Sequence, residues 1–184
     1  MSFLRFLGGH PGEPVQTGGP RPADLTGETA VVRHIVARLE ALPPETARML
    51  AAMAYLLARA AYADLDISDA ETAVMEKELT GSGLDPSQAV LVAEMAKLQE
   101  KTIGGTSDYL VTREFKEHST MDQRITLLRA CYRVSAADDA ISGTESATMD
   151  EIASELELSR EDAAAVRAEF AGKLSARFGF GKPA

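Results

Sequence analysis

The chain has 184 residues, enough to bury one core of ordinary domain size without disulfides or an obligatory structural metal. Apolar residues make up 45% but aromatics only 5%, Trp is absent, and Ala, Leu, Met and Glu dominate the middle of the sequence, a mix that favours helices over strands. The formal net charge of -9 repels phosphate backbones, which argues against nucleic-acid binding, and attracts cations or basic partners.

Residues Gly8 to Thr26 hold five Gly and four Pro with little apolar periodicity, so 1–27 reads as a flexible leader. Its tip carries Phe3, Leu4, Phe6 and Leu7, which could dock on the body, on a membrane or on a partner. The tip lacks the apolar stretch of a secretory signal, and the longest uncharged apolar run, Met49 to Ala58, stops at Arg59, well short of a spanning helix. A cytoplasmic location and no transmembrane segment are expected, with peripheral membrane association left open.

The helical domain is expected over 28–178. Val31, Val32, Ile35, Val36 and Leu39 recur at helical spacing from Thr29 to Ala41, where Pro43 and Pro44 interrupt. Pro44 then suits the first turn of a second helix reaching Ala63, whose many alanines suggest a central, closely packed element. Ser68 and Glu71 have capping-box spacing, so a third helix starts there and ends at Gly81 and Gly83. A fourth runs from Asp85-Pro86 to about Lys101, and a fifth from Ser107 to Lys116. A sixth, capped by Ser119 or Thr120, carries Cys131, read as a buried core residue; as the chain's single cysteine it excludes an internal disulfide and a cysteine-built zinc site. Ser142 and Glu145 form a second capping box for a seventh helix ending near Glu157. Ser159 and Asp162 open the last, expected to reach Phe178 before a frayed tail over 179–184.

Shifting the sequence on itself by 74 residues lays Arg59–Val92 over Arg133–Val166 without a gap. Eleven of 34 pairs are identical, including Arg59/Arg133, Asp64/Asp138, Ile67/Ile141, Ser68/Ser142, Glu71/Glu145 and Met75/Met149. Several are not generic helix residues, so chance is a poor explanation and a duplicated helix, acidic turn and capped helix is the natural reading. The expected architecture is all-α: a single bundle of about seven to eight helices with an internal pseudo-twofold repeat. In each copy the Ile before the Ser cap can pack into the core like a hydrophobic staple. Two acidic turns related in this way can face each other and bring four carboxylates together.

The segments LLARAAYADLDISDAETAVM and LLRACYRVSAADDAISGTESATM carry this motif twice. Here the chain resembles the TerB-like family: the tellurite-resistance TerB proteins and the N-terminal domain of membrane-anchored DnaJ-type co-chaperones. The resemblance spans roughly Leu42 to Phe170. It implies an all-helical bundle, a link to tellurite and chemical stress responses, and divalent-cation binding through the acidic turns. The family's Gly after the turn Asp is replaced by Leu65 in the first copy and Asp139 in the second, so neither turn has the residue that most easily takes a positive φ.

Asp64, Glu71, Asp138 and Glu145 are the candidate metal ligands, with Asp66 and Asp139 as accessories. Oxygen donors of this kind suit a hard cation, calcium or magnesium. A competing account makes Glu71 and Glu145 purely capping residues and Asp64 and Asp138 turn residues. The second functional reading is a metal-independent protein-interaction module, co-chaperone-like or a membrane-associated scaffold, in which Met49, Met53, Met75, Met95, Met121 and Met149 line either an adaptable surface or the core. No enzyme is expected: His10, His34 and His118 pair with no nucleophile, and no phosphate-binding Gly-rich motif is present.

Overall fold

A computed structural model describes residues 37, 39–65, 67–103 and 108–174, except the side chains of 64 and 99–103. The expected leader, tail, most of the first predicted helix, Asp66, His10 and His34 lie outside these residues. Ala37, Leu39 and Glu40 are helical, and Leu39 is fully buried.

Seven helices follow: α1 Pro44–Ala61, α2 Asp69–Gly81, α3 Pro86–Ile103, α4 Asp108–Glu117, α5 Met121–Ser135, α6 Gly143–Glu155 and α7 Arg160–Glu169. The fold is all-α. Among the described residues the sole bridge of strand type joins Ile141 and Leu174, and no helix is long and apolar enough to cross a membrane.

Helix α1 starts with Pro44 at its first position and Glu45 in its first turn, placements that suit a missing N–H and the positive end of the helix dipole. From Leu50 to Ala61 every residue is buried, and α1 packs against α2, α3, α4, α5 and α6, so it is the axis of the bundle. Its alanines let neighbours come close. The Cys131 thiol donates to the Leu56 carbonyl at 3.8 Å and the Ser135 hydroxyl to the Ala60 carbonyl at 3.2 Å, so side chains of α5 bond directly to the main chain of α1.

Helix starts are written in the sequence by reciprocal caps. Asp85 Oδ1 accepts from the Gln88 N–H at 3.0 Å while Gln88 Oε1 accepts from the Asp85 N–H at 2.9 Å, and Thr120 with Gln123 repeats the exchange at α5. At α7 the Ser159 hydroxyl accepts from the Asp162 N–H, but the shorter Asp side chain bonds back to the hydroxyl instead of the backbone. Each cap satisfies donors that the first turn leaves orphaned, worth about 1 kcal/mol.

Two expectations need correcting. Helix two ends at Ala61, and Tyr62–Asp64 tightens into a single 3₁₀ turn. The last helix stops at Glu169, not Phe178: Phe170 stacks on Tyr132 with ring centroids 5.2 Å apart, and the chain turns back so that the Lys173 carbonyl accepts from the Ile141 N–H at 2.7 Å.

Candidate functional site

Equivalent positions of the two sequence copies take matching local geometry. After α1 and after α5 the chain tightens, and Leu65 (φ 73°) and Asp139 (φ 74°) both adopt the left-handed conformation where the family motif has Gly. Such a φ costs a non-glycine L-residue about 1–2 kcal/mol, less for Asp, whose side chain bonds locally. Ile67 and Ile141 then turn inward and are buried. Beyond α2 and α6 the chain again takes positive φ at equivalent positions, Gly83 (110°) and Glu157 (57°).

Both capping boxes are complete. Ser68 Oγ accepts from the Glu71 N–H and Ser142 Oγ from the Glu145 N–H, each at 3.1 Å. In return Glu71 Oε2 accepts from the Ser68 N–H at 2.8 Å, and Glu145 Oε2 from the Ser142 N–H at 2.6 Å. This exchange pulls both carboxylates inward, leaving Glu71 only 6% exposed and Glu145 4%. The Ser68 hydroxyl adds a second interaction with the Glu71 carboxylate.

The two glutamates are electrostatic neighbours. Burial pushes the Glu71 carboxyl up to about 7, the Ser68 N–H and hydroxyl pull against it, and the charges of Glu145 and Asp138 raise it further. The first turn's Glu and the second turn's Glu and Asp therefore share one field. Asp138 is exposed beside them. The side chain of Asp64 and all of Asp66 lie outside the described residues. Asp139 faces elsewhere: the Lys173 ammonium contacts it at 2.7 Å and holds its carboxyl below the usual range. Among the described residues no three His, Cys, Asp or Glu side chains stand close enough to hold an ion together. The donor chemistry thus fits a hard cation, while the described donors alone do not complete a site.

Two features behind the turns are not legible as sites from the sequence. Arg59, 6% exposed, reaches Asp108 at 3.1 Å, Glu155 at 2.8 Å and Glu151 at 3.1 Å. Tyr55 and Thr112 complete the network, donating to Asp108 at 2.8 Å and to Glu155 at 2.6 Å. Its repeat partner Arg133 makes a two-pronged pair with Glu78, both contacts at 2.7 Å. Each arginine precedes one acidic turn and grips the helix that follows the other. The identity of Arg59 and Arg133 in the repeat is the signal that marks them.

Residues 49–168 match the family model described as Tellurite resistance protein TerB. The chain belongs to the TerB family. The match covers both acidic turns and all but the ends of the helical bundle. No curated protein and no solved structure matches the chain. The other sequence-derived candidates fall into place within this TerB fold. Cys131 is fully buried, and burial pushes its thiol up to about 12. Met75 and Met149 are core, Met53 is buried, and Met121 is exposed. His118 lies 3.3 Å from Glu114 on the same helix and touches no nucleophile among the described residues.

Proposed function

We propose that this TerB-family bundle binds a divalent cation, calcium or magnesium, between its two acidic turns, and that it serves a tellurite or chemical stress response without catalysing a reaction. One observation carries the reading: two buried glutamates from separate capping boxes lie within each other's field. Burying like charges together is costly unless a proton or a cation lies between them. Glu71, Glu145 and Asp138 share this field without closing round an ion by themselves, and the reading takes them as ligands that a cation would draw together. Asp64 is the fourth by its equivalence to Asp138 in the sequence repeat, which we read as a pseudo-twofold arrangement of the turns.

The bound cation would supply charge neutralisation and fix the two turns relative to each other. Because Glu71 ionises only near pH 7, a proton competes with the metal for its carboxylate. Calorimetric titration with calcium and with magnesium at pH 6.5 and pH 8 tests this on the wild type and on Glu71→Gln with Glu145→Gln. Glutamine still closes a capping box, so the fold is retained. The expected result is tighter binding at pH 8, proton release on binding at pH 6.5, and no binding by the double variant. Absence of both heat and a metal-dependent melting shift at millimolar cation rejects the site.

A metal-independent interaction module is the second reading, and it rests on a cavity of about 240 Å³ toward the other end of α1, lined by Met49, Leu50, Met53, Phe115 and Leu127.

A further inference from the structure

Helix α6 buries Glu145, Ser146, Met149, Ile152 and Ala153, which at helical spacing form one face, and it packs against α1 and α5. Ser146 stands at the start of that face, next to Glu145. It is 7% exposed, and its hydroxyl oxygen has no hydrogen-bond partner among the described residues. Burying such a group costs free energy that an alanine at the same helical position avoids. Thr72, its equivalent in the sequence repeat, is satisfied: the Thr72 hydroxyl donates to the Ser68 carbonyl at 2.9 Å. The two halves therefore differ by one uncommitted hydroxyl, and it lies in the second. The first turn reaches the same end of α6. Arg59 grips the later half of that helix through Glu151 and Glu155, so the 3₁₀ turn Tyr62–Asp64, which follows Arg59 and also packs on α6, lies toward the helix start.

We infer that the Ser146 hydroxyl is an oxygen ligand of the divalent cation held between the acidic turns, an inference that rests on the cation reading above. A hydroxyl oxygen carries two lone pairs, and serine oxygens serve hard cations such as magnesium in other folds. The carboxylates do not close round an ion by themselves, so the site needs further oxygens. A neutral one adds coordination without adding to the mutual repulsion of Glu71, Glu145 and Asp138. It also needs no proton removed before it binds, unlike the Glu71 carboxyl. The cation site is then lopsided. Both halves supply carboxylates, but only the second supplies a hydroxyl, because the first spends its own on the Ser68 carbonyl.

Calorimetric titration of the full chain with calcium and with magnesium at pH 8, beside thermal melts in chelator, tests this on the wild type, Ser146→Ala and Thr72→Ala. Ser146→Ala should bind roughly tenfold more weakly, the lower end of what losing a supporting group costs a metal site. Its melting temperature in chelator should hold or rise, since an unsatisfied hydroxyl has been removed. Thr72→Ala should keep the wild-type affinity. A wild type that binds while Ser146→Ala binds equally well overturns this inference and leaves the cation reading standing. No binding by the wild type overturns both. A lower melting temperature of Ser146→Ala in chelator also overturns the inference, because it assigns the hydroxyl a partner within the protein, and so does equal weakening in Thr72→Ala, which would tie the effect to the helix starts in general.

Discussion

The first and second acidic turns use the same residues at the same spacing and are braced in different ways. The first has Leu65 in the left-handed conformation, 76% exposed, and packs its 3₁₀ turn against α3 and α6. The second has Asp139 in that conformation, held by Lys173, with the Lys173 carbonyl tying down Ile141 as well. The first turn is braced by two helices and the second by the segment after α7. What the two turns share is local, the cap and the inward Ile, while their bracing differs.

The sharpest way to break the comparison is through the arginines. Arg59→Met strands Asp108 and Glu155 in a largely dry pocket and should cost roughly 3 kcal/mol. Arg133→Met removes a pair whose arginine is 38% exposed, and should cost at most about 1 kcal/mol. Urea unfolding of the two variants measures the ratio, and equal costs would mean that the two halves are braced alike.

Next in size is the pH response of the paired glutamates. The folded Glu71 carboxyl titrates at about 7, above its ordinary 4.5, so the fold prefers the protonated form. Stability should fall as pH rises from about 4.5 to 7 and level off above, by on the order of 2 kcal/mol. Glu71→Gln should flatten that slope in metal-free buffer and be more stable than the wild type at pH 8. Glu145→Gln should shift the slope to lower pH by removing a neighbouring charge. Thermal melts across pH 4 to 9 give both answers, and an unchanged slope in Glu71→Gln would place the titration elsewhere.

The smallest effect separates the turn residues themselves. Leu65→Gly should stabilise by up to about 1 kcal/mol, since it relieves a left-handed Leu whose side chain buries little, partly offset by the entropy of a new glycine. Asp139→Gly relieves less, because Asp tolerates the conformation and also holds Lys173. If melting temperatures rise equally in both variants, the strap contributes nothing to the second turn.

How much of this was legible in the sequence follows the same divide. Both capping boxes, the inward Ile67 and Ile141, the all-helical fold, the alanine-rich axis and buried Cys131 are encoded within a few residues, so spacing alone reveals them. The Arg59 network joins residues up to 96 positions apart, and no local pattern announces which acids it will meet. The early end of α7 is of the same kind, because the pairing of Phe170 with Tyr132 is tertiary and the periodicity continues past it. The repeat singles out Glu71, Glu145 and Asp138 as candidates by spacing alone, and spacing does not set how near their side chains stand. That Asp139 serves a lysine instead depended on a segment whose return path the sequence leaves open.

The contact between α1 and α5 has a practical consequence. The single cysteine lies within it, and with its thiol pushed up to about 12 only on the order of one part in 100,000 is thiolate at pH 7. A thiol reagent can react only when the two helices part, so the rate of labelling at Cys131 is a clock for the opening of the bundle's axis. It can be read without introducing any probe, and it can be run with and without added calcium or magnesium.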